Sequence, residues 1–156
     1  MFKKILVPLD GSDLAATILP QVEDLAKAMQ AQVTLMTVES LFSVFENGFV
    51  PDGYGDYFDQ MRGQAEKYLT EIGGRLKAKG VTTDWIYKEG QAPAREIISY
   101  AETNAFDLIA MATHGKGEVA WVIGSIAEKV VTHATIPVLL LRVLKAKKLV
   151  DKAEYI

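Results

Sequence analysis

Asp107 to Arg142 reads DLIAMATHGKGEVAWVIGSIAEKVVTHATIPVLLLR. A short apolar run leads into a loop with glycines at 115 and 117, Gly124-Ser125 opens a helix, and a second apolar run, IPVLLLR, closes the segment. Two parallel strands need a crossover between them, and a helix is the usual one. A helix that opens beside the end of a strand brings unpaired backbone N–H groups and a positive dipole end to one spot, which suits a phosphate. The segment points to a parallel α/β sheet and to nucleotide binding.

The rest of the chain repeats the alternation. Lys4 to Leu9, Gln32 to Val38 and Asp107 to Met111 are almost continuously apolar, the pattern of parallel strands covered on both faces. Thr82 to Tyr87 and Ile136 to Arg142 supply two more strands, and the first of these alternates in a way that suits a sheet edge. Ile5, Val7, Leu35, Ile109 and Leu139 are expected at the centre of the core. Between the strands lie four helices. One spans Asp13 to Met29 with Ser12 as cap and Leu14, Ile18, Val22, Leu25, Ala26 and Met29 inward. A second spans Asp56 to Lys79, directs Tyr57, Met61, Ala65, Tyr68, Ile72 and Leu76 inward, and stops at Gly80. A third runs from Pro93 to Thr103, and the last from Ser125 to about Ala134 with Ile126, Val130 and Val131 inward. The expectation is a single α/β domain over 1–143, an open five-stranded parallel Rossmann-like sheet with helices on both faces, followed by a tail over 144–156. Ser40 to Gly55 is a long loop with four aromatic residues, which suits a lid or packing over a sheet edge.

Composition narrows the function. At 156 residues the chain has about one domain's worth of sequence. Its 17 basic and 20 acidic residues are dispersed, so there is no footprint for a nucleic-acid backbone. With no cysteine there is no thiol nucleophile and no Cys-bearing zinc site, and two distant histidines make a poor metal site. No apolar run nears the roughly 18 residues of a membrane span, and the first strand begins too early for a signal peptide, so the chain reads as cytoplasmic.

In an open parallel sheet, ligands sit beyond the carboxyl ends of the strands where the strand order reverses, here between the first and fourth strands. Asp10 falls there. Its carboxylate can accept hydrogen bonds from a ribose, or it can cap the following turn together with Ser12, and local sequence does not choose between them. Gly115 and Gly117 allow close backbone approach, and Gly124-Ser125 offers backbone and hydroxyl donors, although a tight strand-to-helix turn uses the same residues. There is no G-x-x-x-x-G-K-[ST], which excludes a Walker loop, and no G-x-G-x-x-G after a strand. His114 and His133 have no convergent nucleophile or acid, so no catalytic residue is assigned and any hydrolysis is slow at most.

Taken together, KKILVPLDGSDLA at the start, DLIAMATHGKG in the middle and GSIAEKVVTHATIPVLLLR at the end resemble the universal stress protein family over nearly the whole chain. The resemblance implies the strand order 3-2-1-4-5, a homodimer, and ATP as the ligand of many members. It implies that Leu9, Asp10 and Val38 hold the adenosine half and that Met111, Gly115, Gly124 and Ser125 surround the phosphates, with Pro8, Ala112, His114, Lys116 and Ile126 also in the nucleotide site. The ATP-binding pattern of that family is G-x2-G-x9-G-[ST]. Here Ala112 stands at the first glycine and the loop from Gly115 to Gly124 is one residue short. Mg²⁺ would offset the scarcity of basic side chains, Lys116 being the only cation in that loop. The expected function is therefore a stress-response or signalling module that binds an adenine nucleotide weakly. The alternative is a nucleotide-free dimeric interaction protein of the same fold, and an adenylate-transferring enzyme lacks the acid–base residues it would need. The last strand, Ile136 to Val143, is apolar and at an edge, and is expected to pair with a second copy.

Overall fold

The computed structural model describes residues 1–40, 52–114 and 123–142. Five strands, β1 (Lys4–Pro8), β2 (Gln32–Ser40), β3 (Thr83–Gly90), β4 (Leu108–Ala112) and β5 (Val138–Leu141), form one sheet in the order β3-β2-β1-β4-β5. Every pairing is parallel. The helices are α1 (Asp13–Ala16), α2 (Leu19–Met29), α3 (Tyr54–Ala78), α4 (Pro93–Thr103) and α5 (Ser125–His133).

Side chains alternate across a strand, and the two faces carry separate cores. Ile5, Val7, Val33 and Leu35 point to one face, where Val22 and Ala26 of α2 and Leu69, Ile72 and Leu76 of α3 meet them. Leu6, Met36, Ile109 and Met111 point to the other, against Ala94, Ile97 and Ala101 of α4 and Ala127 and Val130 of α5. The chain thus winds outward from β1 to β3 with its helices on one face. It then crosses to β4 and β5 with its helices on the other.

Four details differ from the sequence expectation. The helix over 13–29 is broken into α1 and α2 because Pro20, in the first turn of α2, has no N–H to give the Ala16 carbonyl. The hydroxyl of Thr17 instead closes the end of α1 by donating to the Leu14 carbonyl at 2.6 Å. Tyr57 is half exposed, at 49%, while its neighbours Tyr54 and Phe58 pack on each other with ring centroids 4.4 Å apart. In α5, Ile126 and Val131 are exposed while Ala127 and Val130 fill the interface. Leu139 is not central: it is 38% exposed, since Val138 and Leu140 take the face covered by α4 and α5, while α2 and α3 lie over the other half of the sheet.

The pairing at the middle of the sheet shapes the site. β1 pairs with β2 over five residues and continues through the Leu9 N–H, which donates to the Met36 carbonyl at 2.8 Å. With β4 it shares only two register pairs, Ile5 with Leu108 and Leu6 with Ile109. Pro8 has no N–H to extend that ladder. At the opposite end the two strands are fastened: the Asp107 carboxylate accepts the backbone N–H of Lys3 at 2.7 Å and of Lys4 at 3.0 Å. β1 and β4 therefore part toward their carboxyl ends.

Candidate functional site at the carboxyl ends of β1 and β4

A cavity of about 420 Å³ opens where the two strands part, within the usual range for small-molecule sites. Nine of the twelve candidate residues line it: Pro8, Leu9, Asp10, Val38, Met111, Ala112, His114, Gly124 and Ile126. Ser125 begins α5 beside them, with its side chain exposed and outside the lining. Gly115 and Lys116 lie outside the described residues, as do most of the aromatic loop before α3 and the tail over 144–156. The structure adds Ala15, Met36, Ser40, Pro93, Ile97, Thr113 and Ala127 to the lining. None of these carried a chemical signal. Met36 reads as an ordinary strand residue, and Pro93 and Ile97 reach the cavity because α4 begins beside the crevice.

The β1 side is tied together by local hydrogen bonds. Asp10 Oδ1 accepts from the Ser12 backbone N–H at 2.9 Å and from its hydroxyl at 2.6 Å, and Ser12 Oγ in turn accepts from the Ala15 N–H at 3.1 Å. Gly11, at φ +81°, supplies the left-handed backbone that this turn needs. From β2, the Thr37 hydroxyl donates to the Leu9 carbonyl at 2.8 Å. Asp10 thus caps the turn, and its carboxylate also borders the cavity. On its other flank it borders a smaller cavity of about 220 Å³ with Glu39 and Tyr68. Burial, reinforced by the Asp10 and Asp13 carboxylates, raises the pKa of the Tyr68 phenol and keeps it protonated.

On the β4 side Met111, Ala112, Thr113 and His114 are all buried. The Thr113 N–H donates to the Leu141 carbonyl at 2.9 Å, and the Thr113 carbonyl accepts from the Gly124 N–H at 2.8 Å, which sets the start of α5 beside the strand. Gly124 has no side chain to cap the helix. The His114 Nδ1 lies 2.6 Å from the Thr113 hydroxyl, while its Nε2 is buried without a hydrogen-bond partner.

Asp10 is the only carboxylate among the described lining residues, and neither lysine nor arginine is among them. No group of three or more acidic or histidine residues among the described residues is arranged to hold a metal. His133 is exposed, bonds the Lys129 carbonyl through Nδ1 at 2.9 Å and lines a different groove, so the two histidines do not work as a pair. Glu128 and Lys129 form a solvated helix face, and Trp85 is partly exposed on β3.

A sequence profile of the universal stress protein family matches residues 1–142. The chain belongs to the universal stress protein family. Among its relatives are universal stress protein YxiE of Bacillus subtilis, 32% identical with 91% of this chain and all of that protein covered, and MJ0531 of Methanocaldococcus jannaschii, 32% identical with 95% and 85% covered. The solved structure of MJ0577 from the same archaeon superimposes with a TM-score of 0.82 at 26% identity, over 94% of this chain and 99% of that one. A universal stress protein solved in complex with cAMP shares the fold, with a TM-score of 0.66 at 20% identity over 90% and 97% of the two chains. The strand order expected of a universal stress protein is the order observed.

Proposed function

We propose that this universal stress protein is a cytoplasmic stress-response module that binds an adenine nucleotide, ATP, in the crevice between β1 and β4, with little or no hydrolysis. The observation that carries the proposal is the convergence of nine candidate residues on one cavity of about 420 Å³ at the point where the strand order reverses. The apolar walls from Leu9, Met36, Val38 and Met111 suit a purine, and the Asp10 carboxylate suits ribose hydroxyls. The uncapped start of α5 suits phosphate oxygens. With a single carboxylate in the described lining, Mg²⁺ would be held chiefly by the phosphates themselves. Affinity is expected below that of members with the full glycine pattern, because Ala112 puts a methyl group where they have none and the loop to Gly124 is one residue short.

Purified protein is expected to release an adenine nucleotide on denaturation. Calorimetry is expected to detect ATP binding that tightens when the pattern is restored by Ala112→Gly with one residue inserted between Gly115 and Gly124. Absence of binding by both proteins rejects the proposal. The second reading, a nucleotide-free dimeric interaction protein, then takes its place. That reading draws support from the exposed apolar side chains of Ile123, Val131 and Leu139. Under either reading β5 pairs with a second copy, because it is an apolar sheet edge with Leu139 exposed on one face.

A further inference from the structure

We infer that the groove between α4 and α5 is a docking surface for an acidic segment of a partner protein, in which carboxylates flank an apolar side chain; the inference is independent of what occupies the crevice. Arg95, Ile98 and Glu102 recur at i, i+3 and i+7, which puts them on one stripe of α4, and Ile126, Lys129 and His133 repeat that spacing on α5. The other side of each helix is spent on the sheet, where Ala94, Ile97 and Ala101 of α4 and Ala127 and Val130 of α5 fill the core. Both helices connect parallel strands, so they run side by side in the same direction. Their outward stripes border one groove of about 590 Å³. Pro93 and Ile126 line both this groove and the crevice, so the groove begins at the rim of the candidate site.

What fits the groove follows from its charge, which runs against that of the chain. The protein carries a net charge of −3, yet Arg95 and Lys129 both line the groove, exposed, and neither has an ion pair among the described residues. Glu96, next to Arg95 in sequence, is turned to Lys88 instead, at 3.2 Å. Glu102 is the only carboxylate in the described lining, and its Oε1 already accepts from the Thr135 hydroxyl at 2.6 Å. His133 bonds the Lys129 carbonyl through Nδ1 at 2.9 Å, which leaves its Nε2 for a partner. Apolar surface lies in the same groove: Ile126 is 38% exposed and Ile98 is half-buried. A bare anion would use the cations alone. A nucleic acid would bring a row of phosphates past the dispersed acidic residues of the rest of the chain. A peptide with carboxylates on either side of an apolar residue uses both kinds of surface. Exposed ion pairs are individually weak, so such docking is reversible, and charge decides which partner is accepted more than how tightly it is held.

The test uses the full chain and a displayed library of random short peptides. Recovered peptides are expected to be enriched in Asp and Glu around an apolar residue. A synthetic copy of one is expected to move the backbone amide resonances of Arg95, Ile98 and Lys129 in the ¹⁵N-labelled chain, and its binding is expected to weaken as salt rises. Arg95→Glu combined with Lys129→Glu is expected to weaken that peptide roughly tenfold or more, since two exposed ion pairs give way to two repulsions. Ile98→Ala is expected to weaken it severalfold through lost apolar contact. The inference is overturned if the recovered peptides lack acidic residues, or if the double charge reversal binds them as the native protein does. A single-stranded DNA oligonucleotide that binds the native chain more tightly than the peptide also overturns it, and makes the groove a nucleic-acid surface. A charge reversal that alters the light-scattering mass of the chain alone assigns the groove to a second copy and overturns it as well. Should the double variant fail to fold, the native chain is titrated with the same peptide carrying Gln and Asn in place of its acids, and undiminished binding overturns the inference.

Discussion

The two strand ends that flank the crevice use polar residues in opposite ways. After β1, Asp10, Ser12, Ala15 and Thr37 hydrogen-bond to one another or to nearby backbone and tie the turn together. After β4, the Thr113 carbonyl and hydroxyl are engaged, yet His114 Nε2 and the first turn of α5 end at the cavity without a side-chain partner. The difference separates polar groups that serve the turn as well as the crevice from a group that the described protein leaves unused. A sequence motif scores both alike; an inventory of donors and acceptors does not.

The largest effect is expected where the two ends share a foundation. Leu6 and Ile109 are register partners, both fully buried in the same core. Truncating either to alanine is expected to cost about 2–5 kcal/mol in a denaturant titration. A loss below about 1 kcal/mol at either would mean the two strands are not equal supports. Next comes Asp10. Asp10→Ala is expected to weaken ATP binding ten- to a hundredfold, which is roughly 1.5–3 kcal/mol, and to loosen the turn as well. Asp10→Asn keeps an acceptor for Ser12. Retained stability with reduced affinity in that variant would show the carboxylate serving both turn and ligand, and unchanged affinity would make Asp10 a cap alone. Ser12→Ala removes the cap and the hydroxyl bond to Asp10 but leaves the Ser12 backbone N–H on that carboxylate, so about 1 kcal/mol of stability should go with a smaller loss of affinity than in Asp10→Ala.

Away from the crevice, Leu139→Lys should shift the protein toward monomer in light scattering at micromolar concentration. An unchanged mass would move the dimer contact off β5. The smallest effect concerns Tyr87 on β3. Burial first, and then the carboxylates of Glu89 and Glu39, push the Tyr87 phenol up to about 12. The folded chain thus favours the protonated phenol. The associated stability is present below the ordinary tyrosine value of about 10 and is lost as the pH rises through about 12. Denaturation midpoints compared at both limits should fall less in Tyr87→Phe than in the native protein.

The parallel sheet was legible because strands buried on both faces leave continuous apolar runs, as at Lys4 to Leu9, and because Pro93 and Gly80 mark helix limits by backbone chemistry. The break before Pro20 was written in the same chemistry, but the apolar spacing across it remains regular and hides it. Leu139 misled for a different reason. Its burial depends on whether a helix from a distant part of the chain lies over that half of the sheet, which no local pattern records. The site divides similarly. Asp10 and Gly124 stand out as residue types at a strand end and a helix start, whereas Met36, Pro93 and Ile97 enter the lining through packing alone. The orphaned nitrogen of His114 is a matter of hydrogen-bond partners and has no signature in sequence.

The short ladder between β1 and β4 has a consequence for how such a protein can change over time. Fastened at Asp107 and separated beyond Leu6 and Ile109, the two strands leave a gap that comes from the winding of the chain and the missing N–H of Pro8, not from Ala112 or the loop after it. Substitutions at Ala112 or in the neighbouring loop can retune or abolish what is held there without closing the gap. A lineage can therefore lose one ligand and acquire another while its architecture, and most of its stability, stays as it was.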